Sequence, residues 1–474
     1  MRIASETATK RSALGVAAVS AFTTAFMGSA VNIALPAIGA EFRMDAVLLS
    51  WVATAYVLAA AVGLLPAGRL ADIYGRKKLY AIGMIVFTFA SLLAALASST
   101  PVLLAARILQ GLGSAMSFST GMAIVISVFP PGERGRALGI AVAAVYLGLS
   151  AGPSVGGILT QQLGWRSVFG VVVLLGAVAV YLVLWRLKGE WAEARGEKFD
   201  LVGSIIYGLG LVALIQGIAL LPDLRGLILI LGGLLGLALF VGWEIRVESP
   251  VFDLALFRTN RVFAFSNLAA LIHYCSTFAV ILLLSLYLQK IKGLGPQAAG
   301  LVLLAQPIFM AALSPLAGRL SDRIDPRIVA SAGMSLSAVG LGLMTTLDND
   351  SSLIFIVGCL ILLGVGFAFF ASPNTNAIMG SVERRFFGIA SGAVATMRLL
   401  GQMLSMGIAT CIFAVYIGRV EIAAQHYPAL VTSVRAAFII FALLCVLGII
   451  ASLARGRIEP GAPLARPGPA PRER

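Results

Sequence analysis

Long apolar stretches separated by short polar ones run along almost the whole chain of 474 residues. An α-helix needs about 20 consecutive apolar residues to cross the hydrocarbon core of a bilayer. Stretches of that length recur along the sequence and predict an all-α integral membrane protein with about 14 transmembrane helices. We expect their centres near Phe22, Ala59, Phe87, Met116, Val145, Leu174, Gly210, Leu235, Ile281, Ala305, Leu336, Leu362, Met397 and Phe441.

Two related polar stretches divide this pattern into halves. Gly68 to Lys78 and Gly318 to Arg327 share Gly-Arg-Leu and the following Asp, and they begin 250 residues apart. Parallel repeats of this kind are typical of transporters with a binding site where the repeats meet. We therefore predict two six-helix halves with two helices inserted between them. The expected ranges are 12–187 for the first half, 188–246 for a cytoplasmic loop and the inserted helices, and 247–455 for the second half.

The composition agrees with a membrane protein, since 59% of the residues are hydrophobic and 12% are charged. The net charge of +14 could indicate nucleic-acid binding in a soluble chain, but here Lys and Arg gather in the short polar gaps. Such clusters mark the cytoplasmic side of a membrane. We expect both termini in the cytoplasm, a location in the cell membrane, and no nucleic-acid partner. The Pro- and Arg-rich stretch from Arg455 to Arg474 is predicted to be a disordered cytoplasmic tail, over 456–474.

The sequence contains no pattern for enzymatic or cofactor chemistry. Gly111-Leu112-Gly113 lacks the Lys-Ser/Thr of a nucleotide-binding loop, so ATP is not expected to drive the protein. No Ser/His/Asp constellation is evident, and we expect neither an enzyme nor a cofactor. The cysteines lie singly in apolar stretches and predict neither disulfides nor a metal site. They are Cys275, Cys359, Cys411 and Cys445.

One stretch of small residues follows a recognisable spacing. Gly139, Gly148, Gly152-Pro153 and Gly156-Gly157 fit g(x)8G(x)3GP(x)2GG throughout. This run resembles the fifth-helix antiporter motif of the major facilitator superfamily, specifically of its fourteen-span drug:proton antiporter branch. Small residues let helices pack closely and Pro bends a helix, so its expected role is mechanical.

Two further stretches carry the same resemblance. Gly68 to Lys78 is similar to the loop motif GxLaDrxGrkxxl, and Arg107 to Gly113 is similar to the fourth-helix motif RxxqGxg. The resemblance implies a secondary active transporter that exports lipophilic or amphipathic organic compounds by alternating access, coupled to protons, and that acts as a monomer. The branch often carries an Asp nine residues before Pro36, and here that position is Met27. No Asp or Glu lies near the middle of a predicted helix, so the usual proton carrier is missing.

Two alternatives to drug export stay open. The first is a transporter of an anionic substrate such as an organic acid or a lipid, because Arg107 and Arg398 are predicted inside spans that lack carboxylates. The second is a membrane receptor or scaffold that does not transport.

Arg107 and Arg398 are candidate residues of the transport pathway. A charged side chain within a span is costly unless it faces a partner or a wet cavity. Arg107 could instead lie near a helix end and extend to the membrane interface. Arg398 needs a partner among backbone carbonyls, Gln402, water or a substrate.

Three uncharged residues complete the predicted pathway. His273 titrates near neutral pH when unperturbed and could carry protons, although a lone buried histidine is more often a hydrogen-bonded core residue. Gln110 and Asn32 could line a polar cavity, or they could form hydrogen bonds between helices.

The first polar stretch is predicted to form a cytoplasmic gate. Its glycines allow close backbone approach. By the resemblance, Asp72 would approach the start of the thirteenth helix near Phe387 and Gly388, where free N–H groups carry partial positive charge, and Arg76 would complete the contact. The alternative is that the stretch only sets topology. The gate residues are Gly68, Asp72, Gly75 and Arg76.

Overall fold

The computed structural model describes residues 2–252, 254–321, 323–383 and 386–456. Within these residues, fourteen helical spans are long and apolar enough to cross a membrane. Each predicted centre lies inside one of them, so the predicted all-α fold class is confirmed. The predicted disordered tail lies outside the described residues from 457 onward.

The first half consists of six spans that pack into one group. α1 packs on α5, α2 on α4, and α3 on both α4 and α6. A π-helical turn, Leu182–Arg186, extends α6. The helices are α1 (Arg2–Phe42), α2 (Ala46–Tyr74), α3 (Arg76–Ala95), α4 (Thr100–Val128), α5 (Pro131–Leu163) and α6 (Arg166–Tyr181).

Two helices follow and lie between the halves in sequence. They are α7 (Leu201–Leu220) and α8 (Leu224–Glu244). α7 packs on α8 and also contacts α2 of the first half and α16 of the second. The Tyr207 hydroxyl donates to Ala61 O at 3.1 Å, which attaches α7 to α2.

The second half also contains six spans, two of which are interrupted helices. α10 and α11 form one span that ends in the π-helical turn Tyr287–Ile291. At the interruption, Ala279 N donates to Ser405 Oγ at 3.0 Å, so this backbone group is satisfied within the protein. The helices are α9 (Ala255–Thr259), α10 (Arg261–Thr277), α11 (Val280–Leu286), α12 (Pro296–Leu303), α13 (Ala305–Ser321), α14 (Pro326–Met344), α15 (Leu353–Gly380), α16 (Phe387–Tyr416) and α17 (Tyr427–Ala454).

Several helices begin at a capping side chain. Asp45 accepts from Leu48 N at 2.8 Å at the start of α2, and Asp200 accepts from Gly203 N at 2.9 Å at the start of α7. These carboxylates satisfy N–H groups that have no partner within the helix. We refer to the end of the bundle that contains Gly75 as the hinge end, and to the end that contains Asp45 as the far end.

Candidate functional site

The two halves contact each other through hydrogen bonds at the far end. The loop between α1 and α2 lies against the loop between α16 and α17, where Asp45 and Glu421 form an isolated antiparallel bridge. Neighbouring contacts join α2 to α16 and α1 to α11. Together they close the far end of the interface. The hydrogen bonds run from Ala46 N to Val420 O (3.0 Å), between Ser50 Oγ and Thr410 Oγ1 (2.8 Å), from Ser285 Oγ to Asn32 O (2.7 Å) and from Gln289 Nε2 to Ile33 O (3.0 Å).

A small cleft of about 20 Å³, with room for about one water molecule, lies nearer the hinge end, between α1, α4 and α5 of the first half. Small residues such as Ala21 and Gly121 line it, together with the hydroxyl groups of Ser20 and Thr24. Ser20 Oγ donates to Ala17 O at 3.1 Å, and Thr24 Oγ1 donates to Ser20 O at 2.9 Å. Because each hydroxyl proton is used within the helix, the oxygen lone pairs remain available as acceptors. The cleft therefore offers an uncharged wall with hydrogen-bond acceptors.

Phe118 lines the same cleft and connects it to the second half. Its ring lies against the guanidinium of Arg398 from α16, with 4.4 Å between Arg398 Cζ and the ring centroid. The Tyr274 hydroxyl lies beside this guanidinium, and Tyr146 is close enough for the charge to act on it. Arg398 Nε is buried without a hydrogen-bond partner, and no carboxylate of the described residues forms an ion pair with Arg398. A cation of the second half thus faces an aromatic wall of the first.

Arg107 has its partners inside the first half. Its side chain is 1% exposed, so it does not extend to the membrane interface. Nε donates to Val52 O at 2.8 Å, the guanidinium donates to Gln110 Oε1, and Cζ lies 4.4 Å from the centroid of the Tyr56 ring. Gln110 Nε2 in turn donates to Ser91 Oγ at 2.7 Å. This network joins α4 to α2 and α3.

Two other predicted pathway residues carry buried polar atoms without a partner. His273 of α10 packs against α15, with its ring centroid 4.1 Å from Phe370 and 5.2 Å from Phe367. Neither ring nitrogen of His273 has a hydrogen-bond partner, so the expectation of a hydrogen-bonded core histidine does not apply. Asn32 Nδ2 donates to Gly28 O at 3.2 Å, whereas Asn32 Oδ1 is buried and unpartnered.

The structure distributes the predicted pathway residues instead of gathering them. Arg398 lies where the halves meet beside the cleft, whereas Arg107 and Gln110 lie inside the first half. His273 lies inside the second half, and Asn32 belongs to the closed contact at the far end. Among these residues, the geometry makes Arg398 the candidate that faces a cleft.

The predicted gate is shorter than the sequence suggests. Gly68 lies inside α2, where an added Cβ would be 3.9 Å from Ser119, so close approach does not explain this glycine and its predicted place in a loop is wrong. Gly75 alone separates α2 from α3, with φ +116°, and an added Cβ would be 2.5 Å from Glu190. Asp72 accepts from Arg76 Nε at 2.9 Å. The pair lies where two helices turn sharply.

Three glutamates after α6 hold this turn, and the sequence analysis missed them. Glu190 accepts from Lys77 N at 2.8 Å at the start of α3, and Glu193 accepts from Arg76 Nη1 at 2.7 Å. Glu197 pairs with Arg69, whose hydrogen bond lowers the pKa of Glu197 below its usual value. The signal was available, because acidic residues spaced three and four apart follow a stretch rich in cations.

Four motif glycines of α5 lie at close helix contacts. Gly148, Gly152 and Gly156 face α1, and an added Cβ would lie 2.4, 2.5 and 2.8 Å respectively from atoms of that helix. Gly157 faces α12 of the second half, where the distance would be 2.6 Å, and the Pro153 carbonyl also contacts α12. The helix backbones therefore approach closely on both sides of α5. The motif residues in α5 are Gly139, Gly148, Gly152, Pro153, Gly156 and Gly157.

Arg455, the residue before the predicted tail range 456–474, is held in the second half by its side chain. Its side chain is 1% exposed and binds three neighbouring helices or their ends. Nη1 donates to Asn374 Oδ1 at 3.0 Å and to Ser266 Oγ at 3.2 Å, and Nη2 donates to Ser452 Oγ at 2.9 Å and to Pro326 O at 3.4 Å. Burial lowers the pKa of Arg455 to about 10, so it stays charged at neutral pH. A single basic residue before a Pro-rich tail gives no local sign of these contacts.

Comparisons with known proteins agree with this architecture. A family model described as Major Facilitator Superfamily matches residues 17–263 and 266–473. The riboflavin transporter RibZ of Clostridioides difficile (strain 630) is 31% identical over 432 residues, which cover 91% of this chain and 94% of RibZ. The multidrug resistance protein Stp of Mycobacterium tuberculosis (strain CDC 1551 / Oshkosh) is 34% identical over 394 residues, 82% of this chain and 73% of Stp.

A solved structure shares the fold. The crystal structure of a peptide transporter, POT, in complex with sulfate superposes with a TM-score of 0.68 at 14% sequence identity, over 92% of this chain and 93% of that chain.

Proposed function

The chain belongs to the Major Facilitator Superfamily of membrane transporters, and we propose that it exports lipophilic or amphipathic organic compounds by alternating access, in exchange for protons. The proposal keeps the division into halves over 12–187 and 247–455 as the units that move. The helices inserted between them, which contact both α2 and α16, would follow that movement at the periphery.

The asymmetric contact between the halves carries this proposal. Hydrogen bonds join the halves at the far end, whereas a cleft with an adjacent unpaired cation lies toward the hinge end. Alternating access requires a state in which one end is closed and a central site communicates with the other. The close contact of α5 with α12 provides a surface between the halves without bulky side chains, on which the halves could rock.

The relatives support an organic substrate. Stp is named a multidrug resistance protein and RibZ a riboflavin transporter. The name of RibZ states transport of a small organic molecule, and the name of Stp states resistance to several drugs. That similarity supports the proposal that this chain exports an organic compound.

We propose that the hinge end faces the cytoplasm. The hinge end carries Arg69, Arg76, Lys77 and Lys78, and cations concentrate on the cytoplasmic side. The N-terminal end of α1 lies there, because the Tyr80 hydroxyl near the Gly75 turn donates to Val16 O in the first part of α1. The C-terminal end of α17 lies there too, where Ala454 O accepts from Arg261 at the start of α10. Both termini would then be cytoplasmic.

The gate would act in the opposite state of the cycle. Asp72 is bound to Arg76 here, and Arg76 is bound to Glu193. When the far end opens and the hinge end closes, Asp72 would approach the start of α16 near Phe387, where free N–H groups attract a carboxylate.

His273 is the candidate proton carrier. It is buried in α10 with both ring nitrogens unpartnered, which is a costly arrangement for a purely structural residue. It also precedes Tyr274, which lies beside Arg398. Protonation of His273 would therefore place a second charge near the cation that faces the cleft.

Transport into proteoliposomes tests the proposal. We would reconstitute the full chain, impose an acidic lumen, and follow accumulation of two fluorescent probes, ethidium and 1-hydroxy-2-naphthoate. The expected result is accumulation of at least one probe that stops when nigericin collapses the pH gradient. Without gradient-dependent accumulation of either probe, proton-coupled export of these compounds is contradicted.

The two histidines provide a matched pair for the coupling step. His273→Gln should retain binding but lose the dependence of accumulation on the gradient. His426→Gln, at the start of α17, should behave like wild type. Equal behaviour of both variants would remove His273 as the carrier.

A further inference from the structure

We infer that Arg398 and Phe118, where the two halves meet, form a binding site for aromatic acids. The inference deepens the proposed function and rests on it for the direction of transport, whereas the binding site itself stands on the geometry.

The charge of the site argues for an anionic group. Arg398 has a buried Nε without an acceptor and no ion pair with a carboxylate of the described residues. A cation at the junction of the two halves that has no carboxylate partner favours a ligand of opposite charge. A guanidinium presents N–H donors in a fixed fork, which matches the two oxygens of a carboxylate. A cationic substrate would meet repulsion at this position.

The aromatic rings argue for a planar ring system. Phe118 lies against the guanidinium, and the Tyr274 hydroxyl lies beside it. Rings that already flank a carboxylate-binding group can stack on the ring that carries the carboxylate. The adjacent cleft holds about one water molecule, so the ring of the acid would stack on Phe118 itself at the junction of the two halves.

Three probes separate charge from ring shape. We would measure equilibrium binding of 1-hydroxy-2-naphthoate, its neutral amide 1-hydroxy-2-naphthamide, and 2-naphthylmethyl-trimethylammonium to the full chain in lipid nanodiscs, with empty nanodiscs as the blank. We expect the naphthoate to bind about ten-fold or more tightly than the amide, because hydrogen bonds to a charged group contribute more than those to a neutral one. The cation should bind more weakly than the amide.

Variants of Arg398 then test whether this residue causes the preference for the acid over the amide. Arg398→Gln should abolish the preference for the acid over the amide, and Arg398→Lys should keep part of it because the charge remains. Arg225→Gln, an exposed position on α8, removes the same charge elsewhere and should leave all three affinities unchanged. Equal binding of acid and amide by the wild type, or an equal loss for all three probes in Arg398→Gln, would overturn the inference.

The outcomes also separate this inference from the proposed function. Gradient-driven transport of the cation or the amide without preference for the acid would keep the proposed export and overturn the aromatic-acid site. Binding of the acid that depends on Arg398, without any gradient-driven transport, would support the site and contradict the proposed coupling.

Discussion

Arg107 and Arg398 are both arginines within membrane spans, one in each half, and the structure gives them opposite surroundings. Arg107 donates to Val52 O and Gln110 within its own half and lies over Tyr56. Arg398 reaches across the interface to Phe118 of the other half and has no ion pair among the described residues.

The difference shows that depth in the membrane does not by itself identify a functional charge. Arg107 is buried and carries the desolvation cost that makes an intramembrane charge informative, whereas Arg398 is only partly buried. In Arg107 that cost is offset by partners that are present in the folded half. Arg398 has the Phe118 ring and the Tyr274 hydroxyl beside it but no carboxylate among the described residues, so an anionic partner from outside the chain would complete its surroundings.

The largest expected effect concerns the stability of the first half. Arg107→Gln removes the donor to Val52 O and leaves Gln110 without its partner in a buried site, which should cost about 3 kcal/mol. We expect a clearly lower thermal unfolding midpoint of the purified protein by intrinsic fluorescence. Arg225→Gln controls for the loss of a positive charge. An unchanged midpoint for Arg107→Gln would mean that its network does not stabilise the half.

Arg455 extends the comparison to a satisfied arginine of the second half. Arg455→Gln removes hydrogen bonds to Asn374, Ser266 and Ser452, and we expect a destabilisation of about 2 kcal/mol, again measured as a lower unfolding midpoint. Truncation after Arg455 should leave the midpoint unchanged, because the contacts are made by Arg455 itself. A truncated protein as unstable as Arg455→Gln would place the stabilisation in the tail.

The smallest expected effect concerns the ring beside Arg398. Phe118→Leu keeps the cleft wall apolar but removes the aromatic face, which should weaken binding of both the naphthoate and the amide by about 1 kcal/mol, roughly five-fold. The unfolding midpoint should not change. A loss confined to the naphthoate would indicate that Phe118 acts only by positioning Arg398.

The sequence predicts the spans well because their signal is local. A run of apolar residues needs no knowledge of its neighbours to be identified as a membrane helix. The turn at Gly75 and the contact glycines of α5 are also visible locally, since a glycine marks positive φ or close approach.

The partners of the charges are tertiary and escape such patterns. Phe118 is one of 25 phenylalanines, and nothing in its neighbourhood singles it out as the ring that Arg398 contacts. Glu193 lies 117 positions from Arg76, and Arg455 lies 81 from Asn374. For the same reason, the sequence marks Arg107 as an unusual charge within a span but does not reveal that Val52 O, on another helix, accepts its hydrogen bond.

The central claim is that Arg398 serves the substrate and Arg107 serves the fold. We would measure, per folded molecule, gradient-driven transport of 1-hydroxy-2-naphthoate by Arg398→Gln and Arg107→Lys together with their unfolding midpoints. The account predicts that Arg398→Gln keeps the wild-type midpoint and retains about a tenth or less of the transport rate, whereas Arg107→Lys has a lower midpoint and a rate per folded molecule near that of wild type. The reverse pattern, with a stable but inactive Arg107→Lys and a fully active Arg398→Gln, would contradict it.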